Sequence, residues 1–352
     1  MYGRVKIHLA SICPIALTAL FLGCIMQISI KIPVDASTTK KGGEVSRNLK
    51  GDGSKSLLRL TGEMAKSCTT REIGDSVFYH RFLFRDMVAH AVSLSLNNAR
   101  FVVKPIVAET RATTSSLTIN SEALAGINGG YFNLTDGVSA SYVVVDGKQV
   151  LDPTENQALV DNPRLKPFLA QIFDRSELRI YGSIGTEATN FKGQVTPHGS
   201  PCCKEMKLIS SIQGGPALLP SITSEKGAFV RREKNGKATD SIGTTRKAAR
   251  TAVGLTGDGG IVLLVVEGSR GKEFSAGATL KELAQLLKEI GCVEALNLDG
   301  GTSTTMVVKD PSGQVLTPGS RRGRALDKGY SLLFANEIER KVKSVLAVMP
   351  RK

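Results

Sequence analysis

The stretch Ala295-Leu296-Asn297-Leu298-Asp299-Gly300-Gly301-Thr302-Ser303-Thr304-Thr305 changes character at its middle. Its first residues alternate apolar and polar side chains, which predicts a short strand with Asn297 and Asp299 on one face. Gly300 and Gly301 then end the strand, because glycine permits positive φ and close approach of a ligand. A carboxylate, a bare backbone and several hydroxyl groups therefore meet at one strand end, which suits an anionic or polyhydroxylated ligand. An ordinary turn built on Asp-Gly is the alternative.

The residues before this stretch predict two more strands and a helix. Arg250 to Leu255 and the apolar run Ile261 to Val266 are expected to be strands joined by a turn at Asp258-Gly259-Gly260. The continuous apolar run is typical of a strand buried on both faces. It ends at Glu267, in a polar and glycine-rich segment. Thr279 to Ile290 has an apolar stripe of helical spacing with a capping signal at each end, which predicts a helix.

The order of strand, polar loop, helix, strand and polar loop predicts an α+β fold: a single domain with a mixed central β-sheet and packed helices. We expect the strands Val262–Val266 and Ala295–Leu298 to be central, with the helix packed on one face. If these two strands are parallel neighbours, their connection should be right-handed. Both strands would then deliver an acid, Glu267 and Asp299, to neighbouring loop ends.

Several segments, in order along the chain, resemble the phosphodiester glycosidase domain family. They are Ile127–Phe132, Gln213–Pro216, Arg250–Gly254, Thr279–Ala284 and Asn297–Ser303. The resemblance covers roughly Ser76 to Asn336. It departs from the family at Thr302, where many members carry a third glycine, and at Tyr131, where phenylalanine is usual.

The resemblance implies a hydrolase that cleaves the glycosidic C–O bond of a sugar-1-phosphodiester and releases sugar and a phosphate monoester. The oxocarbenium-like transition state of such a reaction needs a carboxylate beside it, and we predict Asp299 in this role with Glu267 as the second acid. Whether the enzyme retains or inverts configuration depends on the separation of the two acids. The predicted substrate-binding residues are Asn128, Gly129, Gly130, Arg250, Asn297, Gly300, Gly301, Thr302, Ser303 and Arg324.

These residues have distinct predicted roles. Backbone amides and hydroxyl groups of the loop after Asp299 would stabilise the weakly basic phosphate leaving group. Arg250 and Arg324 are candidates for the phosphate itself, because guanidinium forms bidentate bonds with it. Asn128 would hydrogen-bond sugar hydroxyls or phosphate oxygens. We expect Asn128, Arg250, Glu267, Asp299 and Ser303 to line one pocket although they are distant in sequence.

Other functions compete with the glycosidase. One is a non-catalytic glycan-binding module of the cell envelope on the same scaffold, with Thr302 marking lost activity. Another is a phosphodiesterase that cleaves the P–O bond. No cofactor is certain, but a divalent cation held by Asp299 and neighbouring oxygens is compatible with the residue types. The sequence leaves metal dependence open.

The N-terminal residues indicate export. Residues 1–36 contain a long apolar run after Arg4 and Lys6, which predicts a signal peptide or a signal-anchor transmembrane helix. The positive charges precede the run, so the remainder is expected to be extracytoplasmic, either membrane-anchored or secreted. We predict a flexible linker at 37–74, the phosphodiester glycosidase domain at 75–340 and a basic tail at 341–352.

Charge and cysteine content bound the partners further. The net charge of +14 favours an anionic partner such as a glycan or sugar phosphodiester. Nucleic acid is not expected, because the basic residues form no stripe or known module. Outside the cytoplasm, Cys202 or Cys203 could pair with Cys68 or Cys292, and free buried thiols are the equal alternative.

Overall fold

The structure is a computed structural model that describes residues 58, 60, 66–185, 190–232, 236–268, 276–314, 323–335 and 338–351. The predicted signal or membrane segment at 1–36 and most of the predicted linker lie outside these residues. Among the residues that are described, no helix is long and apolar enough to cross a membrane.

Strands dominate the fold, and the largest sheet has seven of them. In spatial order they are β1 (Cys68–Gly74), β2 (Val77–Phe84), β3 (Met87–Ser95), β15 (Gly260–Val266), β14 (Arg250–Thr256), β16 (Cys292–Asn297) and β11 (Ala217–Leu219). The strand predicted from the apolar run, β15, lies in the middle of this sheet. The strand that precedes Asp299, β16, is next to the edge strand.

Three smaller sheets complete the strands. The six-stranded sheet runs β18 (Arg324–Leu326), β19 (Tyr330–Phe334), β17 (Met306–Lys309), β5 (Ala125–Asn128), β20 (Lys341–Pro350) and β4 (Phe101–Thr113). The five-stranded sheet runs β7 (Lys148–Leu151), β6 (Val143–Val145), β10 (Met206–Gln213), β8 (Ser176–Ser183) and β9 (Phe191–Pro197). A separate hairpin consists of β12 (Val230–Arg232) and β13 (Ala238–Asp240).

The described α-helices are short except for the predicted one. They are α1 (Thr114–Asn120), α2 (Gln157–Val160), α3 (Leu169–Phe173) and α4 (Leu280–Glu289). Helix α4 begins with the expected capping box, in which Thr279 and Glu282 each bond the other's backbone N–H. Gly291 follows it with φ +96°, a conformation that glycine adopts without steric cost.

The three large sheets share one central core. Leu94 and Leu263 enter it from the seven-stranded sheet, Ile180 from the five-stranded sheet, and Ile127 and Leu346 from the six-stranded sheet. All five side chains are almost completely buried. This common core explains why the described domain needs all three sheets to close it.

Helix α4 covers the other face of the seven-stranded sheet. Its residues Leu283 and Leu287 pack with Val262 and Leu264 of β15 in a second core. Strand β15 therefore has apolar neighbours on both faces, which is the physical reason for its uninterrupted apolar sequence.

The central sheet is antiparallel, whereas a mixed sheet was predicted. Every pairing among the described strands is antiparallel. Strands β15 and β16 do run in the same direction, but β14 lies between them and pairs with both. The tight turn at Gly259 places β14 on one side of β15, and β3 occupies the other side, so the chain returning from α4 adds on the far side of β14.

Two predicted boundaries are also wrong. Strand β1 occupies residues assigned to the linker, so the folded domain begins earlier than residue 75. Lys341 to Pro350, predicted as a basic tail, forms β20 between β4 and β5. Lys341 and Lys343 gave the segment its basic appearance, but most of the residues that follow them are apolar and buried.

All four described cysteines are free. Cys292 is buried beneath α4, where burial raises the pKa of its thiol to about 12. No disulfide links the described part of the chain, and of the free thiols predicted as the alternative only that of Cys292 is buried.

The role of β20 gives a first testable expectation. Its residues Val342, Val345, Leu346 and Val348 are at most 1% exposed. Burying each such side chain contributes about 1.5–3 kcal/mol, and a whole domain is stable by only about 5–15 kcal/mol. Truncation after residue 340 should therefore prevent folding, as measured by circular dichroism and limited proteolysis. Truncation after residue 351 is the control, because it keeps the bonds of Arg351 to Asn98 and Leu96. A folded protein ending at residue 340 would contradict the assignment.

Candidate active site

Asp299 lies in a loop that backbone hydrogen bonds fix to two sheets. Its N–H donates to the carbonyl of Gly129 (3.1 Å), and the N–H of Gly301 donates to the carbonyl of Ala249 (2.8 Å). Gly301 has φ +60° and starts a single 3₁₀ turn, Gly301–Ser303. This positive φ explains why a glycine is needed at Gly301, because other residues rarely adopt it. The result is a rigidly placed carboxylate.

Asn128 holds this loop from beneath. Its side-chain N–H donates to the carbonyl of Asp299 (2.5 Å), while its Oδ1 accepts from Thr251 Oγ1 (2.7 Å) and from the N–H of Thr305 (3.1 Å). The side chain is fully buried. Asn128 therefore meets Asp299 as predicted from the sequence, but as a support for the loop and not as a surface for substrate.

Gly129 and Gly130 also lie beneath the loop. A Cβ on Gly129 would lie 2.5 Å from Ser344 Oγ, and one on Gly130 would lie 2.6 Å from the carbonyl of Gln213. Both contacts are far inside van der Waals distance. The two glycines are thus explained by close packing of three chain segments, and neither borders the open space above Asp299.

A cleft of about 610 Å³ opens beside Asp299. Its walls come from β14 and the residues before it, from the Asp299 loop and from the segment after β5. The lining residues are Tyr131, Leu134, Ser241, Ile242, Arg246, Lys247, Ala248, Ala249, Arg250, Gly268, Asn297, Asp299, Gly300, Gly301 and Thr302. Asp299 is the sole acid among these described residues, whereas three are basic. The cleft therefore favours an anionic ligand.

Burial raises the pKa of Asp299 to about 6. Hydrogen bonds from the Ser303 hydroxyl and the Gly300 N–H, together with the charge of Arg340, act in the opposite direction and stabilise the carboxylate. These contacts give Ser303 and Gly300 a definite place at Asp299. A carboxyl group with a pKa near neutrality is suited to proton transfer or to charge stabilisation.

Arg340 is a site residue that sequence reasoning missed. It precedes β20, and its Nε donates to Thr302 Oγ1 (2.7 Å). Thr302, predicted as a substrate contact, thus also links the loop to a guanidinium group. No motif marks Arg340 in the sequence, where it lies between Glu339 and Lys341 in a polar segment.

Arg246 and Lys247 are two of the three basic residues that line the cleft. Arg246 is exposed and belongs to a charged segment that precedes β14. Lys247 contacts Asp86 and lies 3.6 Å from Glu282, so acids outside the cleft already neutralise part of its charge. Arg246 is consequently the more available of the two for a ligand.

Arg250 borders the cleft but is committed to the backbone. The guanidinium donates four hydrogen bonds, and their acceptors are the carbonyls of Ala278 (2.8 Å), Ile242 (3.0 Å), Gly243 (2.6 Å) and Arg246 (2.7 Å). Most of its five N–H donors are therefore used. These bonds shape the cleft wall at residues 242–246, and the predicted phosphate contact of Arg250 stays a prediction.

Glu267 lies next to the cleft, and its carboxylate is held by a buried relay. Tyr79 Oη bonds His90 Nδ1 (2.7 Å), and His90 Nε2 bonds Glu267 Oε1 (2.7 Å). The following residue, Gly268, lines the cleft, whereas Glu267 is not among the lining residues. Its role as a second acid stays a prediction.

Asn297 and Tyr131 form one wall. Asn297 Nδ2 donates to Tyr131 Oη (2.9 Å) and to the carbonyls of Gly215 (3.0 Å) and Leu298 (2.8 Å). The Oδ1 of Asn297 is buried and has no hydrogen-bond partner. The two carbonyls fix the orientation of this amide, because a flipped side chain would direct oxygen against oxygen.

Arg324 is remote from these groups. It lies exposed on β18, an edge strand of the six-stranded sheet, and is not a lining residue of the cleft. The guanidinium groups nearer to Asp299 are those of Arg246, which lines the cleft, and Arg340, which bonds Thr302.

The donor set does not favour a metal centre. In the described ranges no three His, Cys, Asp or Glu side chains are grouped as metal ligands. Hard divalent cations prefer several carboxylate or carbonyl oxygens, and the cleft offers one carboxylate.

The fold and this loop can now be compared with known proteins. The sequence profile of the family described as Phosphodiester glycosidase matches residues 121–349, which is more than half of the chain. The chain belongs to the phosphodiester glycosidase family. It is accordingly a hydrolase of the phosphodiester glycosidase type, and the family resemblance expected from the sequence is confirmed. A search of curated protein sequences gives no significant match.

Solved structures of similar fold support the same architecture. The zebrafish N-acetylglucosamine-1-phosphodiester alpha-N-acetylglucosaminidase catalytic domain, auto-inhibited by its pro-peptide, is 18% identical with a TM-score of 0.50, covering 81% of this chain and 84% of that one. A hypothetical protein from Synechocystis is 15% identical with a TM-score of 0.53, covering 81% of this chain. The chain spans 64% of the length of that protein. At these identities the likeness concerns the fold alone.

The support that Asn128 gives to the Asp299 loop can be tested by mutation. Asn128→Ala would leave the Thr305 N–H and the Asp299 carbonyl buried without partners, at about 1–3 kcal/mol for each such group. We expect a loss of about 2–6 kcal/mol in the free energy of unfolding from urea denaturation. Asn120→Ala, at an exposed site in α1, is the control. Equal stability of the two variants would show that Asn128 does not hold the loop.

Proposed function

We propose that this protein hydrolyses the glycosidic C–O bond of a sugar-1-phosphodiester and releases the sugar and a phosphate monoester. The observation that carries the proposal is a single rigid carboxylate, Asp299, in a cleft whose other charged residues are basic. Family membership supplies the reaction class, and the cleft supplies residues suited to each part of the substrate.

In this reaction Asp299 faces the anomeric carbon. Positive charge develops there as the C1–O bond breaks, and an adjacent carboxylate stabilises it either electrostatically or as a nucleophile. The electron pair of the broken bond leaves with the phosphate oxygen. The oxygen of a water molecule ends on C1, and its proton passes to Asp299 or to solvent.

The leaving group is a phosphate monoester, which is a weak base. It needs charge stabilisation more than a strong general acid, so a second carboxyl group at bonding distance is not essential. Arg246, Arg340 and the hydroxyl of Thr302 are the groups we assign to the phosphate, assisted by the amides of Gly300 and Gly301. Guanidinium groups suit this task because their planar N–H pairs match phosphate oxygens.

We further propose that the reaction takes place outside the cytoplasm, with the protein secreted or membrane-anchored through residues 1–36. The support is the apolar N-terminal run that follows basic residues. An anionic glycan of the cell envelope or extracellular space is the corresponding class of substrate.

Replacement of the carboxylate tests the assignment of Asp299. Asp299→Asn should lower kcat by about a hundredfold or more, since electrostatic and proton-transfer roles each carry factors of this size. The assay uses defined sugar-1-phosphodiesters and compares turnover per folded molecule. The matched control is Asp327→Asn, an exposed substitution in the turn between β18 and β19. Retained turnover in Asp299→Asn would exclude the carboxylate from the reaction.

The raised pKa of Asp299 predicts a pH dependence. If the ionised form is required, kcat/KM should increase with pH through about 6. Ser303→Ala should move this midpoint upward, because it removes a hydrogen bond that favours the ionised form. The folding stability should have the opposite pH dependence to kcat/KM. A raised carboxyl pKa contributes stability at low pH, and this stability is lost as pH rises through about 6. An unchanged midpoint in Ser303→Ala would contradict this assignment.

The bond that is cleaved can be identified with oxygen-18 water. Label in the released sugar is expected and would establish C–O cleavage. Label in the released phosphate would establish P–O cleavage, and the protein would then be a phosphodiesterase.

A further inference from the structure

Two arginines outside the cleft converge on one turn. Arg175 lies just before β8, and its Nε donates to the carbonyl of Gly227 (2.9 Å). Arg231 lies in β12, and its Nη1 donates to the carbonyl of Ala228 (3.4 Å). Consecutive carbonyls of the same turn therefore hold two guanidinium groups near each other.

Neither arginine has an acidic partner in the part of the chain that the structure describes. No ion pair of 4 Å or less involves them there. The Nε of Arg231 is buried and makes no hydrogen bond. Burial lowers the pKa of Arg175 to about 10; the neighbouring Tyr131 acts in the opposite direction, and the charge of Arg231 lowers the pKa further. Two like charges in a partly desolvated place are unfavourable unless something compensates them.

Aromatic rings provide part of that compensation. The Cζ of Arg175 lies 3.9 Å from the ring centroid of Phe229, and that of Arg231 lies 5.6 Å from the centroid of Phe168. A ring face attracts a cation, but it accepts no hydrogen bond from the N–H groups in the guanidinium plane, and the buried Nε of Arg231 stays without an acceptor. An oxyanion approaching in that plane would supply both the acceptors and the missing negative charge.

We propose that Arg175 and Arg231 form a binding site for an oxyanion, either a phosphate or a carboxylate group. The site is separate from the cleft around Asp299, yet only one aromatic layer divides them. The ring of Phe229 lies 5.6 Å from that of Tyr131, which lines the cleft. A ligand in the cleft that carries a second acidic group could place that group here. The site does not depend on the proposed hydrolysis.

The neighbouring Arg232 provides a matched control. Arg231→Gln and Arg232→Gln remove the same charge from adjacent positions of β12, but Arg232 is exposed. Without added anion, Arg231→Gln should unfold at a temperature no lower than that of Arg232→Gln, because it relieves repulsion between two cations. Arg231→Lys keeps the charge without the planar fork and should retain a weaker response to anion.

The experiment follows the thermal unfolding of the full chain in increasing sodium phosphate, and separately in sodium glucuronate, against sodium chloride of equal ionic strength. A ligand that binds only the folded state stabilises it by RT ln(1 + L/Kd) at free ligand concentration L, so Tm rises with the logarithm of ligand concentration above Kd. We expect the apparent affinity for at least one of the two anions to fall tenfold or more in Arg231→Gln and less than twofold in Arg232→Gln. The more effective anion identifies the group. Equal responses of the two variants, or no stabilisation of the wild type beyond that of chloride, would overturn the proposal.

Discussion

The position of the candidate catalytic carboxylate depends on one buried side-chain amide. Asn128 ends a strand of the six-stranded sheet, and it bonds Thr251 in the seven-stranded sheet and the backbone of the Asp299 loop. Each hydrogen bond is worth only about 1 kcal/mol when made, but a buried group left without its partner costs more. The amide is therefore satisfied only when both sheets and the loop are correctly placed together. This couples the assembly of the core to the geometry of the cleft.

Local signals in the sequence predicted local structure well. Three features follow from residues that are close together in sequence: the hairpin at Gly259, the capping box of α4 and the burial of β15 on both faces. Sheet order did not follow, because the pairings of β3 with β15 and of β20 with β5 join segments far apart in sequence. The basic tail was wrong for a related reason: Lys341 and Lys343 dominate the composition of the segment, but burial of its valines is decided by partners elsewhere.

Residue type and position after a strand indicated Asp299, its glycines and the convergence with Asn128. They could not indicate whether a polar group has donors to spare. Arg250 opens the central block, yet carbonyls of the preceding loop occupy most of its guanidinium. Arg340 carries no sequence signal and reaches the loop through Thr302 only because β20 adds beside β5. Which arginine meets a ligand is thus a property of the tertiary structure.

The charge arrangement of the cleft also agrees with the chemistry proposed for it. A phosphodiester is negatively charged when it arrives, so a second carboxylate beside Asp299 would repel it. The partial burial that raises the pKa of Asp299 weakens the remaining repulsion, because the group is then partly protonated near neutral pH. Arg246 and Arg340 act in the opposite sense by attracting phosphate, and Arg340 also keeps the carboxylate from becoming too weak an acid. A glycosidase with an alcohol leaving group needs a proton donor in addition to its carboxylate. A phosphate leaving group removes that requirement, and a cleft with one acid and several cations is then sufficient.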